Sequence, residues 1–516
     1  MRPFLAIVFL ALISCNKQTN LGADYSKLAN IPTKEQVGHL VLPDTIAPVV
    51  APFDMPNFEK PTFPDRTINI QERTENATII TSVVQNAIDE LSALGGGKVI
   101  IPKGEWLTGR ISLKSNVNLH IAEGAIVKFS TDVKEYQPAV FTRVESMEVM
   151  SLAACIYANN QENIAITGKG KLIGPFDGEI KERSYHTPIE SLVDLSKPAN
   201  ERVHDGSVED WIFPPKFISP VNCKKVYIEG VSLENTAFWN IVPVYCDNVI
   251  IRGVSVNSVG IPRGDGIDIE SSKNVLIEYC TLSTGDDAFT MKSGRGEDGL
   301  NVNRATENVV VRHCLALKGH GGITCGSETA GGIKNLYVHD CVFDGTGVGI
   351  RFKTRRPRGG GGENLYYDRI RMNLEATCIK WDMLGTRAYV GELADRLPAR
   401  EVNDLTPYYK NISISNIIIE NGTHFLKVYG IPESPLSNLT IDNVDAHCSN
   451  LIFINDAKNV TIKNTNIKTP DSVVDILGGE NINYENLVLS TKKSALTMPN
   501  EPIETKGIHF SNGEVK

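Results

Sequence analysis

A short phrase recurs along this chain every two or three dozen residues: an asparagine followed by alternating apolar residues. It reads N-V-I-I-R-G-V from Asn248, N-V-L-I-E-Y-C from Asn274 and N-V-V-V-R-H-C from Asn308, and it continues as far as N-V-T-I-K-N-T from Asn459. Apolar residues at every second position predict strands, and a repeat period in this range predicts a solenoid. We therefore expect an all-β fold, a right-handed parallel β-helix in which each repeat contributes one coil.

Charged residues stand 12 to 18 residues after the asparagine in four successive copies of the phrase. They are Asp265, Asp286, Asp287, His320, Arg351 and Lys353. Because stacked strands lie about 4.8 Å apart, these offsets predict that three carboxylates, an imidazole and two cations gather within a few coils on one face. The alternative is an ordinary solvated face with no binding role.

The composition of the 516 residues, 41% hydrophobic and 22% charged, is that of a soluble fold. A net charge of −9 argues against nucleic acid as a partner. Binding of an anionic ligand would need a local basic cluster, and K-T-R-R-P-R from Lys353 supplies one. The sequence has no C-x-x-C pair and no zinc-type spacing, so we expect neither a metal nor a cofactor.

Residues 1–14 are typical of an export signal. Arg2 precedes an apolar run from Phe4 to Ile13 that is too short to span a membrane. The run closes on L-I-S-C, which resembles a bacterial lipobox and implies that Cys15 carries a lipid. We then expect a protein anchored at the outer membrane, on its periplasmic or cell-surface side. The alternative is a plain secretory signal with an incidental cysteine.

Composition also suggests the division of the chain. Residues 15–65 show no periodicity and are rich in Pro, Asn, Thr and Ala, which predicts a tether. An amphipathic helix over residues 79–91 follows, with Asn76 as its N-cap, and it stops at G-G-G from Gly95. This helix would cap the open end of the solenoid. We expect residues 66–516 to form one β-helix domain and the protein to be a monomer.

The other nine cysteines predict packing and not disulfides. Cys280, Cys314 and Cys341 occupy the same place in successive repeats, where an inward column of small apolar side chains is expected. Free cysteine packs well in such a column, so we expect mostly reduced, buried thiols.

Four motifs, in this order and at coil spacing, resemble those of the glycoside hydrolases that include polygalacturonases and rhamnogalacturonases, family 28. They are G-D-G-I-D from Gly264, G-D-D from Gly285, G-H-G from Gly319 and R-F-K from Arg351. The segment G-S-E from Gly326 strengthens the likeness to bacterial members. The resemblance implies an inverting hydrolase that cleaves α-linked galacturonic acid in pectin, and the long interruptions of the repeat suggest exo action.

The same resemblance implies that Asp286 is the general acid and that Asp265 and Asp287 hold the attacking water. His320 would lie beside the acid and adjust its pKa. Inversion needs an acid and a water-activating carboxylate roughly 6.5–9.5 Å apart. Three clustered carboxylates repel one another, so we expect one of them to keep its proton near neutral pH.

Arg351 and Lys353, spaced i and i+2 on a strand, point to the same face and would bind a substrate carboxylate. The chain departs from the family pattern twice. It has Arg263 where the family usually has asparagine, and on a strand this arginine would flank Asp265, lower its pKa and meet an acidic sugar. The family tyrosine is also missing from its usual place, with Tyr389 as a candidate replacement.

Neighbouring residues are expected to support the site. We interpret Asp268 and Glu270 as supporting residues and not as catalysts. Two long interruptions, residues 175–220 and 381–407, are expected to fold over the charged face. Trp211 or Trp381 within them would either stack on a sugar ring or anchor its loop.

Three rival functions stay open. A rhamnogalacturonan-directed hydrolase would share the acids and differ around Arg263. A pectate lyase would need a calcium-binding carboxylate set and an arginine base. A non-catalytic pectin-binding surface protein would bind oligosaccharide and release nothing. In each case the partner is an anionic plant cell-wall polysaccharide.

Overall fold

The computed structural model describes residues 6–7, 21–74, 78–492, 496–497 and 506–516 of the chain. The chain winds into a parallel β-helix, in which each strand lies in register with its counterpart one coil later. Ile250, for example, aligns with Leu276, and Leu276 aligns with Val310. The expected all-β solenoid is confirmed, and its strands form three faces.

The first face carries the repeated phrase. Its strands are Thr67–Asn69, Gly97–Ile101, Val117–Ile121, Glu162–Gly168, Lys224–Glu229, Asp247–Arg252, Lys273–Glu278, Thr306–Arg312 and Lys506–Ser511. Four longer strands run from the first face onto the second: Ile333–Asp344, Gly361–Asn373, Tyr408–Asn421 and Leu436–His447.

The second face is built from short strands. They are Gly104–Thr108, Ala125–Phe129, Lys171–Ile173, Ser232–Glu234, Ser255–Asn257, Thr281–Ser283 and Glu514–Val515. Leu315–Cys325 runs from the second face onto the third. Asn450–Lys468 and Val474–Ser490 contribute to all three faces.

The third face follows the second in each coil. Its strands are Ile111–Ser112, Ala154–Asn159, Lys216–Val221, Ile267–Glu270, Phe289–Lys292, Thr346–Lys353, Ile379–Asp382 and His424–Tyr429. Five strands lie outside the three faces: Val140–Val144, Met147–Ser151, Val203–His204, and the antiparallel pair Ala6–Ile7 and Leu496–Thr497.

The asparagine of the repeat has a structural reason. Asn308 has a φ of 55°, a left-handed conformation that asparagine tolerates better than most residues, and it turns the chain into the first face. Its side-chain amide donates to Asn274 Oδ1 at 3.1 Å, and Asn335 donates to Asn308 Oδ1 at 3.0 Å. Each coil is therefore tied to the preceding one by an amide ladder at the corner.

Aliphatic side chains from all three faces fill the interior, and the cysteines pack among them. Cys280, Cys314 and Cys341 are buried in adjacent coils. All nine cysteines from Cys155 to Cys448 are free thiols and buried, so the expectation of reduced cysteines is confirmed for them. Cys15 lies outside the described residues.

The helices lie outside this core. Those of the α type are Tyr25–Leu28, Lys34–Gly38, Thr81–Ala93, Gly178–Glu182, Gly296–Val302 and Arg387–Val390. Those of the 3-10 type are Ile70–Arg73, Val133–Tyr136, Ile189–Ser191, Ala199–Glu201 and Gly391–Ala394. Across the described ranges, no helix has the length and apolar character needed to cross a bilayer.

Thr81–Ala93 is the predicted capping helix. It buries Val84, Ile88 and Leu91 over the first coils of the solenoid and ends just before the three glycines. The helix begins two residues later than the apolar pattern indicates, because residues 79 and 80 still belong to the segment that enters it. The expected N-cap, Asn76, lies outside the described residues.

The segment predicted as a tether has a defined course over residues 21–65. The backbone N–H of Gly22 donates to Asn486 Oδ1 at 2.9 Å, near the last coils. Farther on, Arg312 donates to the carbonyl oxygen of Ala47 at 2.8 Å, and Phe58 is buried in a cluster on the first face. The segment therefore runs back along the first face, because its scattered apolar residues cover that sheet. The division of the chain at residue 65 stays a prediction.

Candidate active site

The third face brings the predicted charged residues together. Ile267 aligns with Phe289, and Phe289 aligns with Ile323, so the turns before these strands stack. The backbone N–H of Gly266 donates to the carbonyl oxygen of Asp287 at 2.9 Å. The turns supply Asp265, Asp286 and Asp287, and the strands of the next two coils supply His320, Arg351 and Lys353. The charges gather as their offsets predict.

Asp287 is fully buried and is held by two cations. Arg351 Nη1 donates to Oδ1 at 2.8 Å, and Lys353 Nζ donates to Oδ2 at 2.6 Å. Burial by itself would raise the pKa of Asp287, but the two cations outweigh it and hold that pKa well below its usual range. In the free protein the two cations thus bind this aspartate, whereas the sequence suggested a substrate carboxylate as their partner.

Asp286 is the most exposed of the three carboxylates, with 27% of its side chain accessible. His320 Nδ1 lies 2.8 Å from Asp286 Oδ1. Burial would raise the pKa of Asp286, but the hydrogen bond from His320 brings it below its usual value. The same bond raises the pKa of His320, so the proton of this pair resides on the imidazole.

Asp265 behaves in the opposite way. It is buried, its Oδ2 lies 3.5 Å from Lys292 Nζ, and its Oδ1 has no hydrogen-bond partner within the described part of the chain. Burial, and then the neighbouring Asp268 and Asp286, raise its pKa well above the usual value. The carboxyl group that keeps its proton near neutral pH is therefore Asp265, whereas the resemblance implied Asp286.

Arg263 does not flank Asp265 on a strand, so that expectation is wrong. Arg263 has a φ of 56° and lies in a left-handed turn before the strand. Its Nε lies 3.4 Å from Glu145 Oε1, and its guanidinium lies 4.2 Å from the ring centre of Tyr185. The turn directs the arginine toward residues outside the repeat, and the pKa of Asp265 is raised, not lowered.

Four charged residues beside the carboxylates form a network of ion pairs that the sequence did not reveal. Lys292 lies over the ring of Trp239 at 4.3 Å and pairs with Glu328 at 3.2 Å. Glu328 also binds Arg295 and Arg358, and these cations outweigh burial to hold its pKa well below the usual value. Strand alternation gave a usable signal for Lys292, which lies at an outward position one coil after Glu270.

Asp268 and Glu270, which the sequence analysis interprets as supporting residues, are both buried on the third face. Glu270 lies 3.7 Å from Arg143 and 3.6 Å from Lys216, and all three side chains are buried. Asp268 has no hydrogen bond to either carboxylate oxygen in the described residues, and burial raises its pKa to about 7. Neither side chain reaches the exposed surface.

The glycines beside His320 make room for the carboxylates. A Cβ on Gly321 would lie 2.8 Å from Asp287 Oδ1 and 2.4 Å from Thr324 Oγ1. A Cβ on Gly319 would lie 2.7 Å from the carbonyl oxygen of Asp286. Their small size therefore leaves room for the protein's own acids.

Two segments outside the repeat, together called the wall, lie beside the site on its N-terminal side. The antiparallel hairpin of Val140–Val144 and Met147–Ser151 and the segment 175–215 share a hydrophobic cluster with the third face. Its buried members include Val144, Val149, Tyr185, Ile189, Phe213, Trp239 and Val244. Glu145, at the hairpin tip, binds Arg295 at 2.6 Å. It thereby connects the wall to the ion pairs around Glu328. The hairpin was not foreseen.

The two tryptophans have different surroundings. Trp381 is fully buried and stacks on Phe352, with ring centres 4.2 Å apart, so it belongs to the core and does not stack on a sugar. Trp211 lies in the wall, 5.0 Å from Phe213, and is partly exposed. Tyr389 is 65% exposed, with its ring 4.7 Å from the guanidinium of Arg355.

Comparison with known proteins places this site in a family. The model of the family described as glycosyl hydrolases family 28 matches residues 203–383. The crystal structure of a hyperthermoactive exopolygalacturonase from Thermotoga maritima is 30% identical, covers 76% of this chain and 89% of its own, and has a TM-score of 0.67. The protein named probable polygalacturonase from Vitis vinifera is 27% identical, over 72% of each chain.

An exo-poly-alpha-D-galacturonosidase of Dickeya chrysanthemi is 24% identical over 69% of this chain and 63% of its own. The matched residues 203–383 contain all the charged residues that the third face brings together. Because the Thermotoga maritima relative is also aligned over most of its length, the chain belongs to the glycosyl hydrolases of family 28 and is a glycosidase.

Proposed function

We propose that this enzyme hydrolyses α-linked galacturonic acid in pectin with inversion at the anomeric carbon. The observation that carries the proposal is the pair of cations on Asp287. Arg351 and Lys353 neutralise a carboxylate in the free protein, and 21% of each side chain remains accessible. A uronate carboxylate entering from the cleft can take the place of Asp287 on these cations.

In this mechanism the Asp286–His320 pair supplies the acid. Its proton passes from Nδ1 of His320 to Asp286 along their 2.8 Å contact, and from Asp286 to the oxygen of the leaving sugar. Asp286 suits this part because it is the most accessible of the three acids. General acid catalysis of this kind contributes roughly 10²–10⁴ in rate.

The attacking water is held by the other two carboxyl groups. Asp265 keeps its proton, and its Oδ1, which has no partner among the described residues, binds the water. Ionised Asp287 accepts the water's proton as the oxygen attacks the anomeric carbon. Transfer of Arg351 and Lys353 to the substrate carboxylate raises the pKa of Asp287 and makes it a stronger base. Substrate binding thereby activates the base.

The test is product release from polygalacturonate and from rhamnogalacturonan, with EDTA present, by the wild type, Asp286→Asn and Asp442→Asn. Asp442 is a half-buried aspartate on the first face and serves as the matched control. We expect saturated galacturonate from the wild type and the control, and a loss of at least about 100-fold in Asp286→Asn. Cleavage of rhamnogalacturonan alone would identify that polymer, and not polygalacturonate, as the substrate.

Three other outcomes would contradict the proposal. An unsaturated product that depends on calcium would identify a lyase. Binding of oligosaccharide without any product would identify a pectin-binding protein with an inactive site. Equal activity of Asp286→Asn and the wild type would exclude Asp286 as the acid.

We also propose exo action. The hairpin and segment 175–215 pack on the third face on the N-terminal side of the carboxylates, and we infer that they block the binding cleft there. The relatives from Thermotoga maritima and Dickeya chrysanthemi are named as exo-acting enzymes. Product sizes during early hydrolysis test this: we expect short products of one size, and a ladder of oligomers would indicate endo action.

For location, we propose a monomer that is lipid-anchored through Cys15 at the bacterial outer membrane. The support is the L-I-S-C sequence after the apolar run. In a bacterial host we expect palmitate labelling and membrane fractionation of the wild type, and loss of both in Cys15→Ser. An unlabelled wild-type protein would contradict the anchor, and sedimentation of the released chain as a dimer would contradict the monomer.

A further inference from the structure

The third face continues beyond Arg351 as a column of outward side chains. Arg351 is in register with Lys380, Lys380 with Lys427, and Lys427 with Phe453. The residues directly before and after each of these four on its strand are buried. The side chains of the four residues, and that of Tyr429, are half-buried. Since strands stack about 4.8 Å apart, Lys427 lies roughly 10 Å and Phe453 roughly 14 Å along the face from Arg351.

The column combines positive charge with aromatic rings. Lys427 Nζ lies 5.5 Å from the ring centre of Tyr429 and 5.9 Å from that of Phe453, and the two rings are 5.1 Å apart. Lys380 Nζ lies 5.8 Å from the ring centre of Tyr429 and 3.3 Å from Asp382 Oδ2. Among the described residues, no carboxylate lies within salt-bridge distance of Lys427.

The direction of the column matches the open side of the cleft. The hairpin and segment 175–215 cover the third face on the N-terminal side of the carboxylates, where Trp239 and Val244 are buried. On the C-terminal side the column is accessible. A polymer held at Arg351 and Lys353 can therefore extend along the face toward Lys380 and Lys427.

We propose that Lys380, Lys427, Tyr429 and Phe453 form a binding track for the part of a polyuronate chain that lies beyond the cleaved bond. Lysine side chains bind the carboxylates of successive sugars, and the rings support the apolar faces of the sugars. The track rests on the proposed function for the identity of its ligand. It lowers the KM for long chains and leaves the chemical step unchanged.

The test compares Lys380→Gln/Lys427→Gln with Lys463→Gln, which removes a half-exposed lysine on the first face. For the double variant we expect a KM on polygalacturonate raised about three-fold to ten-fold, with kcat unchanged and with unchanged kinetics on digalacturonate. The difference should shrink as salt is raised, because exposed charges are screened. The control variant should match the wild type throughout.

Affinity electrophoresis in gels containing polygalacturonate measures binding without turnover. Retardation of the wild type that is lost in the double variant supports the track even if no product is released, which separates it from the proposed hydrolysis. Equal retardation and equal KM values for the double variant and the control would refute the track. An equal loss on digalacturonate and on the polymer would also refute it, since that result indicates a general effect on the site.

Discussion

Replacement of Lys292 by methionine tests how the buried charges position the carboxylates. The change removes an ammonium that lies 3.5 Å from Asp265 Oδ2 and 3.2 Å from Glu328 Oε2. Breaking a buried pair costs about 3–5 kcal/mol when the remaining charge is left alone. Here Glu328 keeps Arg295 at 3.0 Å and Arg358 at 2.6 Å.

Asp265 does not become an isolated buried charge either, because its raised pKa means that it already carries a proton near neutral pH. The stability loss for Lys292→Met should therefore be only about 1–3 kcal/mol. In a domain of this size that amounts to a fall in Tm of a few degrees. Asp265 loses the contact that orients it, so kcat should fall roughly 10-fold to 100-fold with little change in KM.

Lys216→Met is the matched control for this experiment. Lys216 is as buried as Lys292, pairs with Glu270 at 3.6 Å and lies 5.7 Å from the same Trp239 ring. Melting curves and steady-state kinetics on digalacturonate measure both variants. We expect similar losses of stability, with a fall in kcat for Lys292→Met alone. A kcat within three-fold of wild type for Lys292→Met, or equal losses in both variants, would refute the positioning of Asp265 by this lysine.

Two further substitutions address the pH dependence and the space around the acids. The hydrogen bond to Asp286 raises the pKa of His320 above its usual value, so the pair keeps its proton to higher pH and activity should be lost as the pH rises through that raised pKa. His320→Asn should move this alkaline limb of kcat/KM to lower pH, and an unchanged limb would contradict the assignment. Gly321→Ala should reduce kcat at least about 10-fold by displacing Asp287, with a stability cost of about 1–3 kcal/mol. Gly38→Ala, whose Cβ would lie 3.7 Å from the nearest atom and far from the site, should remain active in the same kinetic assay, and equal activity of both alanine variants would refute the steric argument.

The repeat made much of this site predictable from the sequence. Each charged residue follows the repeated phrase at a similar offset, and this offset sets its position around the coil. The gathering of Asp265, Asp287 and Arg351 can therefore be predicted before their contacts are known. Alternation along a strand is equally informative. It places Trp381 inward between the outward residues Lys380 and Asp382, a position that excludes sugar stacking.

The parts that the sequence did not reveal depend on contacts between distant segments. Whether Arg351 binds a ligand or Asp287 depends on which carboxylate lies within reach, and no local pattern encodes that. Arg263 is expected on a strand beside Asp265, but it precedes the strand in a left-handed turn that alternation of apolar residues does not indicate. The hairpin that ends at Glu145 lies outside the repeat, so the repeat gave no information about it.

The ion pairs of the free site bear on its selectivity for acidic sugars. Asp287 is buried and ionised only because Arg351 and Lys353 hold it, so a ligand that takes those cations must itself supply negative charge. A neutral sugar brings no such charge and would leave Asp287 bound and inactive as a base. A uronate carboxylate replaces Asp287 on the cations and raises its pKa at the position where the water must lose a proton. On the proposed function, selection of the acidic substrate and activation of the base are therefore the same exchange of partners.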